Sequence, residues 1–206
     1  VRRLAGDRHP ELAKGLENLG NVHFRLGNYD KTLALLAEVI EMRREVLGDD
    51  SPQVARGLTN LGAVYRVSGR LDLAEETLRD AVVRMERAYG PDHTDVASVH
   101  RTLGLVLWKL GRLDDAETEL RTAFTIAEAA FPAGSLGIAG YQNYLGRLLV
   151  ERREFSEAEP LMIECYDGHL DAYGAAHERT VVAAAGVVEL YEAWGRPDQA
   201  ARYRVE

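Results

Sequence analysis

Three regularly spaced histidines are the first residues that could do chemistry, because imidazole binds metal ions and transfers protons near neutral pH. A constant interval of 84 residues separates His9, His93 and His177, and its midpoints are Ser51 and Ser135. A position that alternates between histidine and serine before a helix is typical of an N-cap, whose side chain accepts a backbone hydrogen bond. Ligands on well-separated segments cannot converge on one ion, so we expect helix caps and no bound metal.

Two other arrangements resemble nucleophilic sites. Cys165 and His169 are four residues apart on one predicted helix, but catalysis also needs an orienting group and an oxyanion site, and the sequence indicates neither. Cys165 shares its register with Ala81 and Ala123, which predicts a buried packing thiol. Ser135 lies in a Gly-Ser-Leu-Gly run that follows a predicted helix, whereas a nucleophile elbow follows a strand. We expect neither residue to be catalytic.

No motif for a cofactor or metal accompanies these residues. The sequence contains no glycine-rich phosphate loop, no Cys-x-x-Cys and no His-Glu-x-x-His. His93, Asp95 and His100 share one segment, but their helical phase is poor for chelation without a further ligand. The sequence therefore predicts a protein that is not an enzyme and that holds no cofactor.

The candidate residues occur within a repeat of 42 residues. The same interval separates the pairs Leu19-Gly20, Leu61-Gly62, Leu103-Gly104 and Leu145-Gly146. A second marker with this interval is Gly27, Gly69, Gly111, Arg153 and Gly195. Five copies follow without insertion or deletion, so we treat the chain as one array.

Each copy is predicted to form two helices joined by a short turn. In the second copy, Leu58, Leu61, Val64 and Tyr65 form an apolar stripe at helical spacing. A glycine such as Gly69 then ends the first helix. The predicted fold is all-α, an α-solenoid of about five antiparallel helix-turn-helix repeats over residues 1–206. The expected copies are 10–48, 52–90, 94–132, 136–174 and 178–206, with 1–8 as the tail of a preceding repeat in a longer array.

The sequence supports two predictions about packing, one from the small residues and one from the short fifth copy. Gly20, Gly62, Gly104 and Gly146 are expected at close helix contacts, facing Ala74, Ala116 and Ala158 in the partner helices. The fifth copy has only a short second helix. We therefore expect incomplete cover of Val187, Leu190, Tyr191 and Trp194.

Composition limits the classes of partner. The chain is 46% apolar and carries a formal charge of −8, so attraction of the whole surface to nucleic acid or to an anionic membrane is not expected. A single cysteine excludes an internal disulfide and favours a reducing compartment, the cytoplasm. No apolar run is long enough to span a bilayer.

The repeat resembles the tetratricopeptide repeat, through Leu61-Gly62, Tyr65, Ala74, Leu78 and Ala81. The period of 42 is similar to the kinesin light chain subtype, as are Asn60-Leu61, the Gly-Arg-Leu-Asp turns at 69–72 and 111–114, and the Gly-Pro-Asp-His run at 90–93. This resemblance implies a right-handed superhelix whose first helices line a concave face that binds protein segments. The run Leu190–Pro197 resembles the ends of repeat regions fused to bacterial serine/threonine kinases.

The registers that face inward in this family are predominantly cationic. Across copies one to four they hold seven cations and two anions, Glu17 and Glu151, in a chain that is acidic overall. Guanidinium and amide groups bind carboxylates and peptide backbone, and aromatic rings anchor apolar side chains. We therefore expect a groove for a peptide or protein segment, preferentially acidic. The predicted groove residues are Lys14, Asn18, Asn21, Arg25, Arg56, Asn60, Arg66, Arg101, Trp108, Lys109, Asn143, Tyr144 and Arg147.

Three alternatives remain open from the sequence. In the first, the cations simply solvate an exposed helix face. In the second, the chain is a regulatory or sensor segment of a larger signalling enzyme such as a bacterial serine/threonine kinase. Apolar end faces of an array also permit end-to-end self-association.

Overall fold

A computed structural model describes residues 10–204, and all regular structure in that range is helical. No helix within it is both long and apolar enough to cross a membrane. The predicted all-α fold is confirmed, whereas the expected tail at 1–8 lies outside the described residues. The helices are α1 Pro10–Arg25, α2 Tyr29–Leu47, α3 Pro52–Val67, α4 Leu71–Tyr89, α5 Thr94–Lys109, α6 Leu113–Ala130, α7 Leu136–Glu151, α8 Phe155–Tyr173, α9 Glu178–Ala193 and the short α10 Pro197–Ala200, followed by a 3₁₀ turn at Ala201–Tyr203.

The alternating histidine and serine residues precede the first helix of each copy. The backbone N–H of Val54 donates to Ser51 Oγ at 3.3 Å. The His93 Nδ1 atom accepts from Asp95 N at 3.1 Å, and His177 Nδ1 accepts from Arg179 N at 3.2 Å. Capping is therefore confirmed at these three positions, while His9 lies outside the described residues.

Ser135 departs from this pattern. It occupies the N-cap position of α7, but its side chain makes no capping hydrogen bond. The backbone carbonyl of Ser135 instead accepts from Ile138 N at 3.2 Å, while its hydroxyl is buried without a partner among the described residues. The predicted cap at Ser135 is thus correct in position and wrong in its hydrogen bond.

The turn inside each copy requires a left-handed backbone. Gly27, Gly69, Gly111 and Gly195 have φ between 74° and 81°. Arg153 occupies the same register in the fourth copy with φ 65°, the one non-glycine residue at positive φ in residues 10–204. Glycine is favoured there because a Cβ crowds the backbone in this conformation.

The described residues divide into two compact units, one ending at residue 111 (unit 1) and the other beginning at residue 112 (unit 2), so that the boundary falls between the two helices of the third copy. Unit 1 contains α1 to α5, and unit 2 contains α6 to α10. Each helix packs against its neighbour in sequence within its unit. In unit 1, for example, α2 contributes Leu33 and Leu36 to a cluster with Val64 of α3. In unit 2, Ala139, Cys165 and Ala183 bring α7, α8 and α9 together.

The glycines that recur every 42 residues are not equally tightly packed. A Cβ added at Gly62 would lie 2.5 Å from Leu78 Cγ, and one at Gly146 would lie 2.6 Å from Met162 Cγ. These contacts confirm the close approach, although the tightest neighbours are Leu78 and Met162 rather than the predicted alanines. At Gly20 the nearest atom is Leu35 Cβ at 3.8 Å, an ordinary contact. The helix contact at Gly20 is made by its backbone carbonyl oxygen, which accepts from Thr32 Oγ1 of α2 at 3.3 Å, and it leaves room for a Cβ.

The end of the fifth copy is better covered than the sequence predicts. Val187 and Leu190 are fully buried and Tyr191 is 4% exposed, so the expectation for these three residues is wrong. The short C-terminal segment supplies the cover, because the ring of Tyr203 stacks on Tyr191 with centroids 6.0 Å apart. Trp194 remains partly exposed, as expected.

Candidate functional site

The predicted groove residues all lie on the first helices of their copies. Unit 1 carries ten of them on α1, α3 and α5, and unit 2 carries three on α7. Their side chains are mostly exposed or half-buried. The members on α1 are Lys14, Asn18, Asn21 and Arg25; on α3 Arg56, Asn60 and Arg66; on α5 Arg101, Trp108 and Lys109; and on α7 Asn143, Tyr144 and Arg147.

Unit 1 contains a groove of about 390 Å³ between α1 and α3, with α2 beneath it. Four of the predicted residues line this groove: Asn18, Asn21, Arg56 and Asn60. The groove also includes Thr32 and Leu36, which lie outside the inward registers of the first helices because they belong to the second helix α2. We call this cavity the unit 1 groove, lined by Glu17, Asn18, Asn21, Phe24, Thr32, Leu36, Arg56, Asn60, Ala63 and Val64.

The acid in the unit 1 groove is neutralised from the second helix. Arg43 of α2 donates through Nη2 to Glu17 Oε2 at 2.7 Å, and both side chains are largely buried. This ion pair leaves Arg56 as the charge in the groove without a counterion among the described residues. The groove therefore combines one guanidinium, three side-chain amides and the ring of Phe24, which together can bind carboxylate, peptide backbone and an apolar side chain.

Other first-helix cations of unit 1 are also without acidic partners. Within residues 10–111, none of the groups Lys14, Arg25, Arg66 and Lys109 forms an ion pair. Arg66 is half-buried, and its Nε atom has no hydrogen-bond partner in the described chain. Arg101 is different, because its Nη2 donates to Ser98 Oγ at 3.5 Å. Positive charge thus remains available on the first helices of unit 1.

The corresponding surface of unit 2 is not cationic. Arg147 of α7 lies 3.5 Å from Glu189 Oε2 of α9, the residue that occupies its own register in the next copy. Glu192 of α9 pairs with Arg204 at 2.9 Å. The excess of cations counted over copies one to four therefore does not extend to α7 and α9, where Glu189 of the fifth copy pairs with the one predicted groove cation of α7.

Family models described as tetratricopeptide repeat match residues 11–82, 56–129 and 138–179. The chain belongs to the tetratricopeptide repeat family. No match is found among curated protein sequences.

Solved structures share the fold of this chain at low sequence identity. BtubC (BKLC) from P. vanneervenii is 17% identical with a TM-score of 0.82, covering 94% of this chain and 77% of that one. A putative kinesin light chain from Podosopora anserina is 17% identical with a TM-score of 0.79, covering 95% and 92%. A Rap protein complexed with competence and sporulation factor is 16% identical with a TM-score of 0.72, covering 91% and 50%. These likenesses show that the chain shares the helical-repeat fold of those structures.

The cysteine of this tetratricopeptide repeat protein is part of the packing. Cys165 is 3% exposed, and burial raises the pKa of its thiol to about 11. A thiol with a raised pKa is a poor nucleophile at neutral pH. The Sγ atom lies 3.8 Å from His169 Nδ1, but the same nitrogen is closer, at 2.8 Å, to the Cys165 carbonyl oxygen. The prediction of a buried packing thiol is confirmed.

Two polar features were not anticipated from the sequence. The cap His93 stacks on Tyr89 with ring centroids 4.3 Å apart, and His177 stacks on Tyr173 at 4.4 Å. The sequence does contain a signal for this stacking. Among the four caps from residue 51 to residue 177, the residue four positions before the cap is tyrosine only where the cap is histidine. Gln142 is 1% exposed and donates through Nε2 to Glu164 at 2.7 Å. Its register holds Leu58 in the second copy, so periodicity alone gave no sign of it.

Proposed function

We propose that the protein is a non-catalytic binding module whose unit 1 groove takes an acidic protein or peptide segment. The observation that carries the proposal is the set of first-helix cations in unit 1 that lack acidic partners within the described residues, with Arg56 inside the groove. Like charges held close together destabilise a fold, and a ligand carboxylate removes that cost. A complex of a tetratricopeptide-like neighbour, the Rap protein with its factor, supports the class of function.

The ligand is proposed to bind in an extended or helical form along α1 and α3. Asn18, Asn21 and Asn60 each offer both a donor and an acceptor, as peptide groups require. Phe24 is 37% exposed and provides an apolar contact at the edge of the groove. The proposal includes the cytoplasm as the compartment, which suits a chain whose one cysteine is unpaired.

The experiment is a fluorescence-anisotropy titration with two labelled peptides of about ten residues, one alternating Glu and Leu and the other Gln and Leu. We expect the Glu peptide to bind more tightly. Arg56→Glu should weaken its binding by about tenfold or more, since it replaces attraction by repulsion. Raising the salt from about 50 to 500 mM should also weaken it, because exposed charges are screened.

The matched control is Arg87→Glu, which makes the same charge change at an exposed position on the second helix α4. This variant should bind the Glu peptide within about twofold of the parent, as remote exposed charges contribute little. Equal affinity for the Glu and Gln peptides, or equal effects of the two variants, would refute the acidic ligand.

A second candidate is a regulatory segment of a larger signalling enzyme, favoured by the resemblance of Leu190–Pro197 to repeat regions fused to kinases. Part of that run has a packing role here, since the Arg196 guanidinium lies 3.4 Å from the Trp194 ring centroid. The sequence of the complete gene tests this candidate, because a catalytic domain in the same reading frame is required.

A further inference from the structure

The histidine caps differ from the serine caps in one chemical respect. Neutral histidine accepts a hydrogen bond through the ring nitrogen that lacks a proton, whereas imidazolium carries a proton on both nitrogens and accepts none. Histidine is also the side chain that changes charge between about pH 5 and 8, a range in which a serine hydroxyl does not titrate. A histidine cap can therefore be lost on mild acidification, while the cap formed by Ser51 is retained.

His177 caps the fifth copy through the nitrogen that acid protonates. Its Nδ1 atom accepts from the backbone N–H of Arg179 at 3.2 Å, which places the ring proton of the neutral form on Nε2. Protonation of Nδ1 would turn this hydrogen bond into a contact between two N–H groups. The new charge would also lie at the N-terminus of α9, where the helix dipole opposes a cation.

The charged groups around His177 add to this cost. Arg179 contacts the same Tyr173 ring that stacks on His177, because its Nη1 donates to Tyr173 Oη at 3.4 Å and its Cζ lies 5.8 Å from the ring centroid. The acids nearest in sequence are Asp171 of α8 and Glu178 of α9, and within residues 10–204 neither pairs with His177. A proton on His177 therefore adds a second cation beside Arg179.

The first turn of α9 has a second attachment to α8, which acid does not break. Thr180 is fully buried, and its Oγ1 atom donates to the backbone carbonyl of His169 at 3.1 Å. The His169 ring lies 6.2 Å from that of Tyr173, so His169 is the second histidine at this junction. The hydroxyl–carbonyl bond does not depend on the charge of either histidine ring. Loss of the cap should therefore loosen α9 only before Thr180.

The cap at His93 has the same geometry with the opposite charge beside it. Its Nδ1 atom accepts from Asp95 N at 3.1 Å, and its ring stacks on Tyr89 with centroids 4.3 Å apart. Asp95 occupies the register of Arg179, and Asp92 directly precedes the cap. Nearby carboxylates favour an imidazolium, so they offset part of the cost of losing this cap.

We propose that the His177 cap is a pH-sensitive latch of the fifth copy, closed at neutral pH and open in mild acid. The unfolded chain binds a proton at this histidine without losing a cap, so the stability of the folded state decreases as the pH falls. Acid should loosen the first turn of α9 most and that of α5 less. The cap of α3 at Ser51 should not respond. This device does not depend on any ligand of the unit 1 groove.

The test compares the thermal unfolding of the full chain with that of His177→Ser between about pH 8 and 5, followed by circular dichroism. Serine occupies this register in other copies and can accept the capping hydrogen bond. On acidification, the melting temperature of the parent should fall by about 2–4 °C more than that of His177→Ser, the effect of one lost cap in a chain of this size. The remaining histidines titrate in both proteins and cancel in this difference.

Two matched variants test the role of the neighbouring charge. His93→Ser makes the same replacement in unit 1 and should reduce the pH dependence of the melting temperature by less than His177→Ser does. Arg179→Asp gives the fifth copy the residue that the third copy has at this register. This variant should depend less on pH than the parent, because a carboxylate stabilises the imidazolium.

A local measurement separates opening of the cap from a general loss of stability. The Arg179 amide loses its acceptor when the cap opens, so its exchange with water, corrected for the intrinsic effect of pH, should accelerate by about threefold or more between pH 8 and 5. The Val54 amide, which donates to Ser51 Oγ, should show no such change. Equal pH dependence of the parent and His177→Ser would overturn the inference, as would an Arg179 amide that exchanges no faster than Val54 in acid.

Discussion

Arg153 shows how a single residue can depart from the repeat without changing the backbone. It adopts φ 65° where the other turns have glycine. We expect Arg153→Gly to increase the free energy of unfolding by about 0.5–1 kcal/mol, because glycine has no Cβ to strain the left-handed backbone. The greater conformational freedom of glycine in the unfolded chain offsets part of this stabilisation. Urea denaturation measures the change.

The reverse substitution is the control for this prediction. Gly69→Ala places a Cβ at φ 81° in the second copy and should decrease the free energy of unfolding by about 1 kcal/mol. Equal and small effects of both substitutions would mean that the turn relaxes to accommodate a Cβ.

At the scale of the helix pair, two equivalent glycines should respond to alanine with opposite signs. Gly62→Ala brings a Cβ to 2.5 Å from Leu78 Cγ and should destabilise by about 1–3 kcal/mol through overpacking. Gly20→Ala meets only an ordinary contact at 3.8 Å and should stabilise by up to about 1 kcal/mol, the helix preference of alanine over glycine. Thermal unfolding of both variants gives the signs, and destabilisation by Gly20→Ala would contradict the packing described.

Second helices of neighbouring copies in unit 2 are joined by charge. Arg121 of α6 donates to both carboxylate oxygens of Glu157 of α8, at 2.5 and 2.9 Å. The hydrogen bond from Arg121 holds the pKa of Glu157 below its ordinary value. A carboxyl group with a lowered pKa stabilises the fold above its unfolded pKa, and the contribution is lost as the pH falls through the folded value.

The stability of unit 2 should therefore fall on acidification below about pH 4.5, near the ordinary pKa of glutamate. Glu157→Gln should remove this part of the pH dependence and cost about 0.2–1 kcal/mol at neutral pH, since the pair is half-exposed. Melting temperatures of both proteins between pH 3 and 7 test this. Parallel curves would show that the ion pair contributes nothing.

At the scale of the whole chain, periodicity predicted most of the fold. The spacing of Leu61, Val64 and Gly69 was sufficient to place helix boundaries, because burial and turn geometry act within one copy. What failed depends on which residue a side chain meets. Tyr203, later in the same copy, stacks on Tyr191, and Glu189 of the next copy pairs with Arg147. A register gives the direction of a side chain but not the residue that it meets.

The single buried thiol makes this chain its own reporter of local opening. Cys165 lies beneath α7 and α9, and the sequence contains no other cysteine. A thiol reagent can react there only after the helices around it separate, so its labelling rate measures the population of opened molecules when closing is fast. The labelling rate therefore ranks substitutions in unit 2 by their effect on the local opening of α8. The measurement is made under native conditions and needs no engineered cysteine.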